Sequence, residues 1–103
     1  MDSLRITVKE FMQIVNFKSL KNYYIVDLRN ENKYMDFHIP GAINIPFDKF
    51  MNIHDFRKLF KYENIIILYC ARGGSSIYAA NYLAGYGFKV RSLIGGIVEY
   101  RKN

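Results

Sequence analysis

Apolar residues recur along the chain with two spacings, one typical of helices and one typical of buried strands. Phe11, Ile14 and Val15 lie on one helical face. Residues 65–69 are apolar without a break, as in a central parallel strand that is covered on both faces. Thr7 and Glu10 form a capping box at the start of the first helix. The pattern predicts strands over residues 24–28, 42–45, 65–69 and 90–94, and helices over residues 8–16, 30–37, 55–62 and 97–101. It also predicts a helical turn that Asp48 caps, and a further helix that Ser75 or Ser76 caps and that Gly87 ends.

Strands that alternate with helices predict an α/β fold, with a mostly parallel central sheet and helices on both of its faces. The length of 103 residues is typical of a single domain, so residues 1–103 are assigned to one domain. Half of the residues are apolar and 17% are aromatic. These are enough to build a core, because a domain of this size buries roughly 60–70% of its unfolded surface.

The net charge of +6 lies mostly in the second half of the chain. Residues 1–54 hold seven Lys or Arg and six Asp or Glu, whereas residues 55–103 hold eight and three. A basic half attracts a small anion, an acidic protein, a membrane or nucleic acid. Its cations are dispersed, and the aromatic residues between them form no RNA-binding motif. We therefore expect a small anion or an acidic protein as partner, and no nucleic acid.

The single cysteine, Cys70, excludes an internal disulfide and a multi-cysteine zinc site. No dinucleotide fingerprint, phosphate-binding lysine loop or metal cluster is present in the sequence, so no cofactor and no metal are predicted. A lone cysteine is typical of a reducing compartment. The first residues lack the basic-then-apolar order of a signal peptide, and the longest apolar run is seven residues against the ~20 needed to span a bilayer. We expect a cytoplasmic protein that does not contact a membrane.

Cys70 directly follows the most apolar predicted strand and precedes a glycine turn and a helix. In open α/β sheets, ligands bind at the carboxyl ends of the strands. The backbone amides of residues 71–76 can form an anion-binding nest there, and they would stabilise an ionised, nucleophilic thiol. A lone cysteine after an apolar strand is commonly an inert core residue. The Arg-Gly-Gly-Ser-Ser that follows has no use in core packing, and it favours a functional site.

Three segments of the chain, in order, resemble the motifs of single-domain rhodaneses, which are sulfurtransferases. Residues 70–76 (Cys-Ala-Arg-Gly-Gly-Ser-Ser) resemble the active-site loop of that family. Residues 27–46, with Asp-Leu-Arg and His-Ile-Pro-Gly, resemble its upstream signature, and residues 87–97 resemble its closing strand and double-glycine turn. The matches extend from about Val8 to Lys102. Phe37 stands where the family usually has glycine, and Tyr100 stands where it often has tryptophan.

The resemblance implies a rhodanese-like domain with thiosulfate sulfurtransferase activity. Cys70 would attack the outer sulfur of an anionic donor such as thiosulfate, and the resulting persulfide would pass its sulfur to a thiol or to cyanide. Arg72 would pair with the anionic donor. The substrate-binding residues implied are Ala71, Arg72, Gly73, Gly74, Ser75 and Ser76.

Three other functions are weighed against this one. A persulfide relay would take sulfur from a partner desulfurase, and a rhodanese-like interaction module would turn over nothing. A cysteine phosphatase or arsenate reductase needs arginine at the sixth position after the cysteine, where this chain has Ser76. Asp27, Arg29 and His38 are interpreted as structural residues whose hydrogen bonds fix neighbouring loops.

Overall fold

The computed structural model describes residues 4–17 and 22–103, which form a five-stranded sheet flanked by helices. The strand order is β1-β5-β4-β2-β3, and all four neighbouring pairs are parallel. This confirms the predicted α/β class and the parallel sheet. The strands are Arg5–Ile6 (β1), Tyr23–Asp27 (β2), Ile43–Asn44 (β3), Ile65–Tyr69 (β4) and Lys89–Leu93 (β5).

Helices cover both faces of the sheet, as predicted. On one face, Ile66 and Leu68 of β4 belong to the core cluster that includes residues of α3 and α4. On the other face, Ile67 and Tyr69 belong to the cluster that includes residues of α1 and α5. This alternation explains why the whole of β4 is apolar. The helices are Val8–Phe17 (α1), Glu31–Asp36 (α2), Phe47–Met51 (α3), Gly74–Ala84 (α4) and Gly96–Tyr100 (α5), with a 3-10 turn at Phe56–Lys58.

The capping box at the start of α1 is confirmed. The Thr7 N–H donates to Glu10 Oε1 over 2.9 Å, and the Glu10 N–H donates to Thr7 Oγ1 over 3.0 Å. These bonds satisfy two amides that the first turn of the helix leaves free. The hydrogen bonds from the Thr7 backbone and side chain hold the pKa of Glu10 below its usual value.

Several predicted helix ends are wrong. Asp48 lies inside α3, whose N-cap is Pro46, and Ser75 and Ser76 lie inside α4. The N-cap of α4 is Gly73, whose φ of +105° lets the chain turn directly from the loop into the helix. This helix ends at Ala84 with Gly85 as its C-cap, two residues before Gly87.

The helix predicted over residues 55–62 is also wrong, because only a 3-10 turn forms there. Asp55 accepts the Arg57 N–H, and the next amides bond three residues back. Phe56 and Phe60 enter the core, whereas Leu59 remains exposed. The spacing of Phe56, Leu59 and Phe60 fits a helical face, but a single tight turn is enough to bury two of these three side chains.

A buried polar network ties the carboxyl end of β2 to that of β4. The Arg29 guanidinium pairs with the buried Asp27 carboxylate at 2.8 Å, and the Tyr69 hydroxyl donates to the same carboxylate over 2.7 Å. The Tyr69 oxygen in turn accepts the Ile39 N–H. Burial, followed by the bond to Asp27, raises the pKa of Tyr69, so the phenol stays protonated. The structure confirms that Asp27 and Arg29 hold neighbouring segments together.

Candidate active site

Cys70 lies at the carboxyl end of β4, the central strand of the sheet, and its side chain is almost fully buried. Two backbone amides point at its sulfur. The N–H of Gly73 lies 3.2 Å from Sγ and that of Ser76 lies 3.4 Å from it. The loop that connects β4 to α4 therefore curls around the sulfur, as a nest of amides curls around an anion.

The backbone of this loop is held from the other side by the start of α5. The Ile97 N–H donates to the Cys70 carbonyl over 3.0 Å, and the Val98 N–H donates to the Ala71 carbonyl over 3.2 Å. Gly96 makes this approach possible, because a Cβ there would lie 2.4 Å from the Cys70 carbonyl oxygen. Its φ of +59° also favours glycine. The double-glycine turn thus fixes the position of the cysteine.

Two buried hydroxyl groups lie beneath the sulfur. Ser76 Oγ is 3.6 Å from Cys70 Sγ and 3.3 Å from the Gly73 carbonyl oxygen. Ser92 Oγ of β5 is 2.6 Å from Ser76 Oγ. Ser92 is not among the predicted site residues, although the sequence carries one signal for it. In a strand, residues 90 and 92 point to the same face. Val90 marks that face as facing the core, so the polar Ser92 on the same face is the signal.

The rest of the loop is open to solvent. Arg72, Gly74 and Ser75 are exposed, as is Ala71, whereas Gly73 is half-buried. Within the described residues the Arg72 side chain forms no ion pair or hydrogen bond, so its guanidinium is available to an anion. The structure therefore divides the predicted site residues into two groups. Gly73 and Ser76 contact the sulfur, and the others form the rim above it.

His38 is held in place by Tyr34. Its Nδ1 lies 2.9 Å from the Tyr34 carbonyl oxygen, and its ring stacks on the Tyr34 ring at a centroid distance of 3.8 Å. These contacts agree with the structural role predicted for it. Its neighbour Phe37 has a φ of −166°, an extended conformation open to any residue, and the Arg101 guanidinium lies over its ring. The replacement of glycine by Phe37 is therefore accommodated without backbone strain.

The arrangement around Cys70 suits a sulfur atom that carries negative charge. Two N–H groups already donate to Sγ, and the hydroxyl of Ser76 can turn towards it. Hydrogen bonds to an ionised acceptor are stronger than those to a neutral one. No guanidinium stands at the position of Ser76, where a cysteine phosphatase would need one.

In the described part of the chain, no helix is long and apolar enough to cross a bilayer, and no metal-binding group of acidic, histidine and cysteine side chains is found.

Comparison with known proteins assigns a family to this fold and site. The sequence matches the rhodanese-like domain over residues 7–103. The chain belongs to the rhodanese-like family. It is 35% identical over 91 residues to the thiosulfate sulfurtransferase GlpE of Shewanella oneidensis, with 87% of each chain covered.

Other relatives are much longer than this chain. It is 36% identical over 77 residues to a tRNA sulfurtransferase of Desulfurococcus amylolyticus. The matched region covers 75% of this chain but only 14% of that protein. The chain spans between 14% and 28% of the length of the first curated relatives it matches. Among solved structures, the human single-domain sulfurtransferase TSTD1 superposes with a TM-score of 0.81 over 99% of this chain and 98% of that one. At 18% identity this likeness shows the fold alone.

Proposed function

We propose that the chain is a sulfurtransferase that carries sulfane sulfur as a persulfide on Cys70. The observation that carries the proposal is the pair of N–H groups, from Gly73 and Ser76, at 3.2 and 3.4 Å from Sγ. They would stabilise the thiolate before the transfer and help to hold the anionic persulfide after it. Two relatives of similar length, from Shewanella oneidensis and Coxiella burnetii, are named thiosulfate sulfurtransferases, which supports thiosulfate as a donor.

The proposed reaction has two displacement steps. In the first, the Cys70 thiolate attacks the outer sulfur of thiosulfate. A new S–S bond forms to Cys70, the S–S bond of the donor breaks, and sulfite leaves with its electron pair. In the second, cyanide or a thiolate attacks the outer sulfur of the persulfide. Thiocyanate or a new persulfide is released, and the Cys70 thiolate is restored.

The exposed part of the loop is assigned to the donor. Thiosulfate is a dianion, and the free guanidinium of Arg72 can offer it two parallel N–H donors. The exposed backbone of Ala71, Gly74 and Ser75 forms the rest of the mouth. The nearly complete burial of Cys70 requires a donor that reaches the sulfur end-on.

The test is the intact mass of the reduced protein after incubation with thiosulfate, beside Cys70→Ser. Cys70 is the only cysteine, so any sulfur adduct is assigned without ambiguity. We expect a gain of one sulfur atom on the native protein, no gain on Cys70→Ser, and removal of the sulfur by cyanide with release of thiocyanate. An unmodified native protein would reject thiosulfate as the donor.

A persulfide relay is the second candidate, and one surface feature favours it. Tyr78, in the second turn of α4, is 63% exposed and packs against the half-buried Phe47. Tyr78 lies on the helix that begins at the Cys70 loop, and the exposed Arg72 lies in that loop. An exposed aromatic side chain and an exposed cation beside the site suit an acidic protein donor. A persulfide-loaded desulfurase that transfers sulfur to Cys70, in a preparation where thiosulfate does not, would select the relay. Failure with both donors would leave a binding module.

The cellular compartment and the polymer partners belong to the same proposal. A lone cysteine that works as a persulfide carrier suits a reducing compartment, so we assign the reaction to the cytoplasm. Fractionation of cells that make the protein would test this. No nucleic acid or membrane takes part in the steps proposed above, and a reaction that required added tRNA would contradict this assignment.

A further inference from the structure

The hydroxyl groups of Ser76 and Ser92 form a short chain that ends at the reactive sulfur. Ser76 Oγ lies between Cys70 Sγ at 3.6 Å and Ser92 Oγ at 2.6 Å. Both serines are buried, with 0% and 2% of their surface exposed. Their hydrogen bonds must therefore be made within the protein.

The number of protons in this chain determines what each hydroxyl can do. Ser76 has one O–H proton and three neighbours that can accept it: Cys70 Sγ, the Gly73 carbonyl and Ser92 Oγ. When Ser92 donates to Ser76, the proton of Ser76 is left for the other two acceptors. A charged acceptor forms the stronger bond. The ionised sulfur is therefore favoured over the neutral carbonyl of Gly73.

The direction of the chain follows the charge on the sulfur. In the neutral thiol, the S–H donates to Ser76 Oγ, and Ser76 donates onwards to Ser92 or to Gly73. In the thiolate, no proton remains on the sulfur and the negative charge lies on Sγ itself. Ser92 then donates to Ser76, and Ser76 donates to the sulfur. Hydrogen bonds in such a series strengthen one another in a low-dielectric interior.

We propose that Ser92 is a positioning residue that favours the ionised state of Cys70 by donating to Ser76. The inference rests on the proposed function, since it concerns the same sulfur atom, and it adds a residue outside the loop. Ser92 belongs to β5, whose place beside β4 is fixed by the pairing of Leu68 with Ser92. The sheet itself, rather than the loop, then supplies the last donor of the chain.

The test measures the rate at which iodoacetamide alkylates Cys70 between pH 4 and pH 10. This neutral reagent reacts with the thiolate and needs no sulfur donor. In Ser92→Ala, we expect alkylation to be about fivefold slower at a given pH on the rising part of the profile, where the thiolate is the minor form, as for the loss of one hydrogen bond. We also expect the midpoint of the pH profile to move to higher pH. A profile identical to that of the native protein would overturn the proposal.

Two controls separate the hydroxyl from packing. Ser92→Thr and Ser92→Val have nearly the same shape and differ in the hydroxyl, so the threonine variant should react like the native protein and the valine variant like Ser92→Ala. Val90→Ala removes apolar contacts from the same face of β5. It should lower the melting temperature and leave the alkylation profile unchanged. Equal shifts in Val90→Ala and Ser92→Ala would show that packing alone is responsible, and would overturn the role of the hydroxyl.

The outcome is independent of the test of function. If the native protein forms a persulfide with thiosulfate but Ser92→Ala alkylates normally, the positioning role fails and the sulfurtransferase stands. If no persulfide forms and Ser92→Ala still alkylates slowly, the hydroxyl chain acts on the thiol and the proposed reaction fails.

Discussion

At the scale of single residues, the glycines of this chain differ sharply in what surrounds them. A Cβ on Gly96 would lie 2.4 Å from the Cys70 carbonyl oxygen and 2.6 Å from that of Ala71. A Cβ on Gly74 would meet nothing within 4 Å, and Gly74 has no positive φ. The sequence shows two glycine pairs of equal appearance, at 73–74 and 95–96. Only the three-dimensional contacts reveal that the second member is indispensable in one pair and replaceable in the other.

Gly96→Ala should destabilise the fold by about 2 kcal/mol, because overpacking against a rigid backbone and a left-handed φ act together. For a domain of this size the melting temperature should fall by about 10 °C. Thermal unfolding followed by circular dichroism measures this. Gly74→Ala is the matched control, and it should change the melting temperature little or raise it, since alanine is a better helix former. Equal melting temperatures for the two variants would contradict the close approach described above.

At the scale of elements, local hydrogen bonds could be predicted and those made across the fold could not. The start of α1 is read directly from Thr7 and Glu10, because both partners lie within one turn. The predicted start of α4 is wrong, because serine is a common capping residue but the Ser76 hydroxyl faces Cys70 and Ser92. Its partner in β5 is sixteen positions away in sequence. A tertiary hydrogen bond thus replaced the local one that the sequence favours.

The capping box should make the stability of the domain depend on pH. The pKa of Glu10 is lower in the folded state, because Thr7 hydrogen bonds favour its charged form. The stability that the Glu10 carboxylate adds to the fold is therefore fully present above its unfolded pKa, near 4.3. It is lost as the pH falls through the lower pKa of the folded state. Urea unfolding should show that Glu10→Gln is less stable than the native protein at pH 7, with a smaller difference at pH 3. Glu63→Gln removes one negative charge at an exposed turn position and is the control for the loss of charge alone. A difference for Glu10→Gln that does not vary with pH would argue against the role of the charge.

At the scale of the whole molecule, the site lies at the centre of the sheet. Strand β4 has neighbours on both sides, whereas β1 and β3 are two-residue edge strands. Parallel pairing and helices on both faces followed from the alternation of elements along the chain. The order of the strands could not be predicted in this way, because the two-residue strand β1 is too short to leave an apolar pattern in the sequence. Cys70 thus follows the strand whose backbone is paired on both sides along its length.

Hydrogen exchange should reproduce this order. The amides of Ile67 and Leu68 in β4 should exchange only through global unfolding. The Ile45 amide donates to Asp27 O beside edge strand β3, and the Ile94 amide donates to Ile6 O of edge strand β1. Both should exchange faster, through local opening of the edges. Site-resolved exchange by NMR is the measurement, and equal protection at the centre and the edges would contradict the expected gradient.

The hydrogen bonds from α5 to the cysteine loop have a consequence for folding during synthesis. Cys70 leaves the ribosome well before Gly96, Ile97 and Val98, whose backbone closes on the carbonyls of Cys70 and Ala71. Strand β5, which brings Ser92 under the loop, also emerges later. A nascent chain that has not yet reached these residues lacks those contacts, so the Cys70 sulfur gains its held geometry only after residues 92–98 have emerged. The contacts around Cys70 therefore form only after the later residues have been made, and a chain that stops before residue 92 lacks the assembled site.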